Sequence, residues 1–283
     1  MTLQEQGVRR DDLASLPQLP ALNPLQAISG FFRKTLAVAE LEARKIRHDS
    51  TDLITRAVQP VLWLLVFGQV FTQSRSIPTG NTPYLDFLTP GILAQSVLFV
   101  SIFYGIAVIW ERDLGILHKF LVSPTPRPAL VLGKALSASI RALSQALIIY
   151  IIALILGVRL SANPLHIAGV LLMTILGAMF FSTLSLIIAS LMKTRERFMG
   201  IGQVITMPLF FTSNAIYPMA IMPAWLLVIA RLNPLTYEVD ALRALMLANG
   251  TSDYGLSLDF AVLLAITAVL TFIGAKMYRR MGY

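Results

Sequence analysis

The chain has 283 residues, of which 56% are hydrophobic and only 13% charged. A soluble domain carries about 25% charged residues, so this composition excludes an ordinary soluble protein and indicates several membrane-spanning helices. The absence of cysteine excludes a disulfide framework and a thiol nucleophile. The formal charge is +8, but the basic residues are scattered and no RNA-binding motif accompanies them, so nucleic acid is not an expected partner.

The N-terminal region precedes the apolar part of the chain. Residues 1–24 are polar, contain three prolines and lack the pattern of a cleavable signal, so we predict a flexible cytoplasmic tail over residues 1–30. Residues 31–50 carry an apolar stripe on one helical face and charges mostly elsewhere. This pattern predicts an interfacial amphipathic helix along the membrane surface, with an ordinary solvated helix as the alternative.

Residues 51–283 form one predicted transmembrane domain, an all-α integral membrane fold with six spans. The apolar runs that predict these spans are Leu53 to Phe71, Pro90 to Trp110, Ala135 to Val158, Ile167 to Met192, Phe198 to Ile216, and Leu256 to Ile273. With both termini in the cytoplasm, only Arg75, Arg159, Arg231 and Arg243 of the 23 Lys and Arg residues lie outside. A seventh span would move the C-terminal basic residues outside, so the positive-inside tendency favours six.

The region before the last span is too short to cross the membrane as one helix. Its apolar piece, from Ile221 to Leu232, is about twelve residues long, whereas a perpendicular span needs about twenty. We therefore predict a re-entrant outer hairpin, or a helix in the membrane surface. Farther along, Glu238, Asp240 and Arg243 are spaced to pair locally on one helix.

The segment "ERDLGILHKFLVSPTPRPALVLGK", residues 111–134, joins spans 2 and 3 in the cytoplasm. Leu114, Leu117 and Leu121 recur at helical spacing, Glu111 opens the pattern, and a run of prolines ends it, which predicts a short amphipathic helix. The residues alone leave two interpretations open: a plain loop, or a stiff element that transmits force to a docked partner.

This segment resembles the cytoplasmic loop of type-2 ABC exporter permeases, especially the daunorubicin-resistance branch. The matching residues are Glu111, Arg112, Asp113, Gly115, Leu117, Leu121, Ser123, Pro124, Leu132, Gly133 and Lys134. Asp113 replaces a commoner glutamate and keeps the charge. A second stretch, "NPLTYEVDALRALML", is similar to the family's sequence before its last span, through Asn233, Pro234, Leu235, Tyr237, Asp240, Arg243 and Leu247.

The resemblance implies that this chain forms the membrane part of the transporter and that a second polypeptide hydrolyses ATP. Residues 111–134 would contain a coupling helix that touches a separate ABC ATPase, and the helix at 31–50 would be the family's connecting helix. The chain lacks the phosphate-binding G-x-x-x-x-G-K-[ST] motif, so we expect no enzyme activity and no cofactor here, with ATP and magnesium on the partner. The resemblance also implies two permeases and two ATPase subunits in the membrane.

Three sets of candidate site residues follow from the resemblance and the spans. The residues expected to couple to the ATPase are Glu111, Arg112, Asp113, Gly115, Leu117 and Lys119. The candidate lining of the translocation pathway comprises Gln95, Phe99, Phe103, Gln203, Met207, Phe210, Phe211 and Asn214. The expected scaffold of the outer gate comprises Asn233, Pro234, Tyr237, Asp240 and Arg243. Lys193, Arg195 and Glu196 form a weaker second ATPase contact, and Arg141 is expected to extend to the inner headgroups.

The function implied is an ATP-driven exporter of a hydrophobic or amphipathic substrate, such as a drug, lipid or glycolipid, in a prokaryotic inner membrane. A polysaccharide-exporting permease is the alternative. An ion-coupled secondary transporter is disfavoured because acidic residues lie at or beyond the span ends. No catalytic residues or metal ligands are expected, because the three histidines are far apart and no zinc or serine-nucleophile motif occurs.

Overall fold

The structure is a computed structural model that describes residues 50–74, 77–80, 82–115, 127–192 and 194–277, with isolated positions at 30, 33, 35 and 40. Every regular element in these ranges is helical. The α-helices are α1 (Ser50–Leu62), α2 (Gln69–Ser74), α3 (Tyr84–Phe103), α4 (Gly105–Asp113), α5 (Arg127–Ile155), α6 (Pro164–Leu191), α7 (Arg195–Phe211), α8 (Ala224–Leu232), α9 (Pro234–Met246) and α10 (Leu256–Met277). A π-helical segment (Trp63–Gly68) joins α1 to α2, and a 3₁₀ turn (Met219–Ile221) precedes α8.

Within the described ranges, four helical stretches are long and apolar enough to cross a membrane. They are Tyr84–Asp113, Pro128–Ile155, Pro164–Leu191 and Leu256–Met277. They coincide with predicted spans 2, 3, 4 and 6, so the all-helical membrane class is confirmed. The other two predicted spans stay predictions, because α7 has 17 residues and the first apolar run is divided among α1, the π-segment and α2.

The observed helices begin earlier than the apolar runs suggested. Span 2 was predicted from Pro90, yet α3 begins at Tyr84 and holds Pro90 in its interior. Asp86 in its first turn is favoured by the helix dipole and accepts a 3.1 Å hydrogen bond from Arg159. Likewise, α6 begins at Pro164 because the Asn163 side chain accepts a hydrogen bond from the backbone N–H of Leu165.

Helix α3 lies at the centre of the bundle. In its most apolar window, including the start of α4, 78% of residues are buried, compared with 17% in α10. Both helices are apolar on all sides, as expected of buried or membrane-spanning helices, but α3 contacts protein while α10 presents most of its surface outward. Against α3 and α6, α5 packs a face of small residues that includes Ala138, Ala142 and Ala146, which allows close approach of the helices.

Backbone contacts fix the end of the bundle that holds Tyr84. Leu160, after α5, forms an antiparallel bridge with Leu247, after α9, supported by 2.9 Å hydrogen bonds from Ser161 N to Met246 O and from Ala248 N to Arg159 O. The α5–α6 connection and the end of α9 are therefore joined through main-chain atoms.

Two predicted elements fall wholly or largely outside the described residues. The tail over 1–30 and the connecting helix over 31–50 are represented only by isolated positions and the first residue of α1. The coupling helix is described only as far as Gly115, so Leu117 and Lys119 lie outside. At Gly115 the backbone has φ +70°, and its N–H donates to Arg112 O at 3.0 Å, which is a common way for a helix to end in glycine.

Candidate coupling junction and lining groove

Glu111 lies on the last turn of α4 and is buried within the chain, with 7% of its surface exposed. Its Oε2 accepts a 2.5 Å hydrogen bond from Nζ of Lys134, which lies on α5 and is 1% exposed. The sequence analysis did not predict a contact between Glu111 and Lys134. A charged pair taken out of water this completely holds the two helices in one relative position, because separating the partners leaves charge in an apolar environment.

The two neighbours of Glu111 reach toward α6 and α7. Arg112 Nη1 donates a 2.7 Å hydrogen bond to the carbonyl of Met192, directly after α6. Asp113 accepts a 3.3 Å hydrogen bond from Arg195, the first residue of α7, and the Arg195 guanidinium stacks 3.5 Å from the centroid of the Trp110 ring. Three consecutive residues of α4 thus contact α5, the end of α6 and the start of α7. We call this cluster the coupling junction.

The coupling junction brings together two groups of residues that were predicted separately. Glu111, Arg112 and Asp113 were the main candidates for contact with an ATPase, and Arg195 belonged to the weaker second contact. Glu196, next to Arg195, is exposed in the first turn of α7. Lys193, from the same group, lies outside the described residues.

A groove runs between α1 and the α3–α4 stretch and contains two adjoining cavities. The Phe99 cavity has a volume of about 120 Å³, and its walls include Thr55, Gln59, Gln95, Ser96 and Phe99. The Arg141 cavity has a volume of about 230 Å³, and its walls include Tyr104, Ile106, Ala107, Trp110 and Arg141. Both cavities are also lined by Arg56, Val100 and Phe103.

The groove contains three of the eight predicted lining residues, Gln95, Phe99 and Phe103. The rings of Phe99 and Phe103 lie 6.1 Å apart along one wall. Gln95 is buried, and its side-chain carbonyl has no hydrogen-bond partner in the described part of the chain. Sequence reasoning missed Arg56 and treated Arg141 as a headgroup anchor. Gln95, Phe99 and Phe103 recur every fourth residue, so helical periodicity was the signal that placed these three on one face.

The remaining predicted lining residues lie on or just after α7. Gln203 and Phe211 are exposed and Met207 is half-buried. Phe210 is fully buried, with its ring centroid 6.0 Å from that of Trp63 in an edge-to-face contact. Asn214 is buried as well, so the structure does not bring these five residues together with the groove.

The predicted gate scaffold forms a connected hydrogen-bond network. The Asn233 side chain caps α9 by accepting from Leu235 N at 3.0 Å, and it donates to Leu209 O at 2.6 Å and Thr212 Oγ1 at 3.1 Å. Pro234 occupies the first turn of α9, where proline is favoured, and Tyr237 donates a 2.7 Å hydrogen bond to Arg231 O. The network joins the end of α7 to α9.

The expected local pairing of Glu238, Asp240 and Arg243 is wrong. Asp240 instead accepts from Ser252 Oγ at 2.8 Å and from two backbone N–H groups of the loop before α10. Arg243 Nη2 donates to Asn214 O at 2.8 Å. Its guanidinium lies 3.9 Å from the Phe87 ring centroid, and burial lowers the pKa of Arg243 to about 10, so it stays protonated at neutral pH. Local spacing permitted the pairs, but the hydrogen bonds of Asp240 and Arg243 go to residues far away in sequence, and Arg243 Nε has no hydrogen-bond partner in the described part of the chain.

Glu238 is the most unusual polar residue of α9. It is fully buried against Gly177 of α6, and neither carboxyl oxygen has a hydrogen-bond partner in the described part of the chain. Burial raises the pKa of Glu238 well above its ordinary value, because the charged form loses its hydration. Such a carboxyl holds its proton to higher pH than an exposed one.

The apolar helices of membrane-spanning length, packed around the central α3, describe a helical membrane protein. Residues 33–247 match the ABC-2 type transporter family, and the chain belongs to this family. The predicted resemblance is confirmed.

Several relatives share much of the sequence. A transport permease of Cyanophora paradoxa is 31% identical over 205 residues, covering 71% of this chain and 70% of its own. The daunorubicin resistance ABC transporter permease protein of Streptomyces coeruleorubidus is 24% identical over 270 residues, covering 90% and 93%. Nodulation protein J of Rhizobium meliloti is 26% identical over 203 residues, covering 70% and 74%. Membership of this family implies a partner ATPase subunit.

Proposed function

We propose that the chain is the membrane subunit of an ATP-driven exporter that moves a hydrophobic or amphipathic substrate out of the cytoplasm or inner leaflet. The coupling junction carries this proposal. Glu111, Arg112 and Asp113 connect the foot of α4 with α5, α6 and α7 through side-chain contacts. A partner that pushes on the segment after Gly115 would therefore displace several helices together.

The proposed topology has six spans with both termini in the cytoplasm of a prokaryotic inner membrane. Span 1 is the continuous helical run of α1, the π-segment and α2, whose 25 residues extend over roughly 37 Å at 1.5 Å per residue. Span 5 is α7, which extends over roughly 25 Å and is continued toward Ile216. The short helices α8 and α9 form the outer re-entrant pair, because 9 and 13 residues are too few to cross.

The proposed complex contains two copies of this permease and two ATPase subunits, which carry the ATP and magnesium. ATP-driven closure of the ATPase pair would move the coupling helices, and the coupling junction would pass that movement to the walls of the pathway. The substrate class rests on the aromatic and apolar walls of the groove. The daunorubicin resistance relative supports a drug by its name, and a polysaccharide remains the alternative cargo.

An ion-coupled secondary transporter is the second candidate function, and one observation favours it. The carboxyl of Glu238 is buried and has no hydrogen-bond partner in the described part of the chain, and buried acidic residues form the proton relays of many pumps and transporters. Transport that continues without an ATPase and stops when the ion gradient is dissipated would establish this alternative.

The test is to purify the chain from its native membrane with any ATPase that accompanies it, and to measure substrate-stimulated ATP hydrolysis. Glu111→Ala should abolish the stimulation while the complex stays intact. Arg197→Ala is the control, because it removes an exposed charge on the same side of the membrane that belongs to neither predicted ATPase contact, and it should leave the stimulation unchanged. Absence of any bound ATPase, while the permease remains folded, would overturn the proposed mechanism.

A further inference from the structure

The Arg141 cavity combines arginine side chains with aromatic rings, and the proposed function does not account for this combination. Arg56 from α1 and Arg141 from α5 line it together with the rings of Phe103, Tyr104 and Trp110. In the proposed topology this cavity lies at the cytoplasmic end of the groove, and its wall residue Trp110 directly precedes Glu111 of the coupling junction. Two guanidinium groups beside three aromatic rings form a cationic pocket with apolar walls.

Arg141 is held inside the groove by protein contacts. Its guanidinium carbon lies 5.4 Å from the centroid of the Tyr104 ring, within the range of a cation–π interaction. Its Nε is buried and donates no hydrogen bond in the described part of the chain. A buried guanidinium N–H without an acceptor is costly, so an oxygen-bearing ligand in the cavity would satisfy it.

The charges that line the groove determine whether an anionic or a cationic ligand would bind there. Among the described residues that line the two cavities, two are arginines and none is acidic. The nearest carboxylate along α4, that of Glu111, is buried against Lys134 and does not line either cavity. Arg56 has a further interaction within the chain, so the charge argument rests on Arg141: an anionic group is complementary to its guanidinium, and a cationic group would meet a like charge.

The groove becomes less charged away from the Arg141 cavity. The Phe99 cavity adds Phe99 and small polar groups, and a neighbouring cavity of about 550 Å³ is walled mainly by Val58, Leu62, Val66 and Phe67. These cavities share wall residues, so the apolar region continues directly from the cationic one. A molecule with one anionic end and an apolar body would match both regions at once.

We propose that this groove binds an anionic amphiphile taken from the inner leaflet, with its anionic group against Arg56 and Arg141 and its apolar body along Phe103 and Phe99. The inference rests on the proposed export function for its direction and deepens it by naming the substrate class. Phosphate, sulfate and carboxylate headgroups share the required chemistry, because each offers several oxygens to a planar guanidinium.

Binding can be measured without any ATPase, so its failure is separable from failure of the export mechanism. The chain contains three tryptophans, and Trp110 lines the Arg141 cavity. A full-length Trp63→Phe/Trp225→Phe variant in phosphatidylcholine nanodiscs leaves Trp110 as the reporter. Titration with 5-doxyl-stearate at pH 8.5 should quench its fluorescence saturably, and about tenfold more tightly than the uncharged methyl ester, as expected for a charge-assisted contact.

Substitutions of individual arginines test whether the Arg141 cavity causes the preference for stearate over its methyl ester. Arg141→Gln should weaken stearate binding about tenfold and leave ester binding unchanged, while Arg141→Lys should retain most of the preference. Arg197→Gln removes an exposed arginine from the same side of the membrane and should have no effect. Unchanged ester binding also shows that the Arg141→Gln protein is folded.

Competition identifies the sign and the source of the ligand. Dodecyl phosphate should displace the probe, whereas dodecyltrimethylammonium should not. If nanodiscs containing phosphatidylglycerol weaken probe binding, the occupant is a resident anionic phospholipid; unchanged binding identifies another anionic amphiphile. Equal affinity for stearate and ester, equal competition by both detergents, or equal effects of Arg141→Gln and Arg197→Gln would each overturn the inference.

Discussion

The buried pair of Glu111 and Lys134 makes the sharpest prediction. Lys134→Met removes the lysine from a carboxylate that is 7% exposed, and Glu111→Gln removes the carboxylate from an ammonium that is 1% exposed. Each single substitution therefore leaves one charge in an environment with almost no water. We expect both to destabilise the fold and to uncouple ATP hydrolysis from the substrate.

The magnitude follows from burial. Removing one partner of a buried pair costs about 3–5 kcal/mol, while replacing both by uncharged groups of similar size is often nearly neutral. Glu111 and Lys134 each have further contacts, so we expect about 3 kcal/mol for either single variant. The double variant Glu111→Gln/Lys134→Met should lose about 1 kcal/mol or less. The two substitutions should thus compensate strongly.

The assay is a double-mutant cycle on unfolding of the detergent-solubilised protein, followed by tryptophan fluorescence. Asp113→Asn provides the control. It removes the negative charge from the 3.3 Å ion pair with Arg195. The Asp113 and Arg195 side chains are 39% and 34% exposed, so the substitution should cost less than about 1 kcal/mol. The same variants are then measured for substrate-stimulated hydrolysis. The Lys134 side chain is buried and therefore cannot contact the ATPase directly. Uncoupling by Lys134→Met would show that Glu111 acts through this pair.

Two results would refute the reasoning. If the double variant loses as much stability as the sum of the single variants, the side chains do not stabilise each other. If Glu111→Gln uncouples hydrolysis but Lys134→Met leaves it intact, Glu111 acts on the ATPase directly and the buried pair is only structural.

Three further predictions concern α3, α7 and α9. Gly91→Ala should lose about 1–3 kcal/mol in thermal unfolding, because its new Cβ would clash with the backbone oxygen of Ala215. Gly200→Ala meets nothing within 4 Å and should be neutral or stabilising, so equal shifts in the two variants would contradict the contact. Asn233→Ala should lose about 2 kcal/mol in the same measurement, since it removes a cap and two hydrogen bonds; a loss under about 0.5 kcal/mol would show that the α7–α9 link is unimportant. Because burial raises the pKa of Glu238, the folded protein keeps a proton that the unfolded chain releases, so stability is complete below pH 4.5 and declines toward the raised pKa. Unfolding at several pH values should show this decline in the wild type and a smaller one in Glu238→Gln; parallel curves would contradict it.

The sequence predicted the positions of the helices well, because the lengths of apolar runs and local capping residues determine them. The four membrane-length helices illustrate this success, since each coincides with a predicted apolar run. The Asn233-Pro234 pair was a signal that the prediction did not use, although Asn233 caps α9 and Pro234 begins it. The start of α3 was less predictable. Span 2 was predicted from Pro90, which left Asp86 outside it. The partner of Asp86, Arg159, is 73 residues away, and no local pattern indicates that contact.

The site was predicted in part for the same reason. Gln95, Phe99 and Phe103 share one face of a single helix, so their common location follows from helical periodicity. The addition of Arg56 and Arg141 depends on how three helices rotate against one another, which local sequence does not determine. Glu111 was recognised by its motif, while its burial against Lys134 required the tertiary structure.

The bridge between Leu160 and Leu247 has a consequence for mutational tolerance. Its hydrogen bonds use only main-chain atoms of Arg159, Ser161, Met246 and Ala248, so most single substitutions there keep the attachment. The coupling junction at the opposite end depends on particular charged side chains, and one codon change can remove a contact. The segments on either side of this bridge can therefore change in sequence while the main-chain attachment between α5–α6 and the end of α9 is kept.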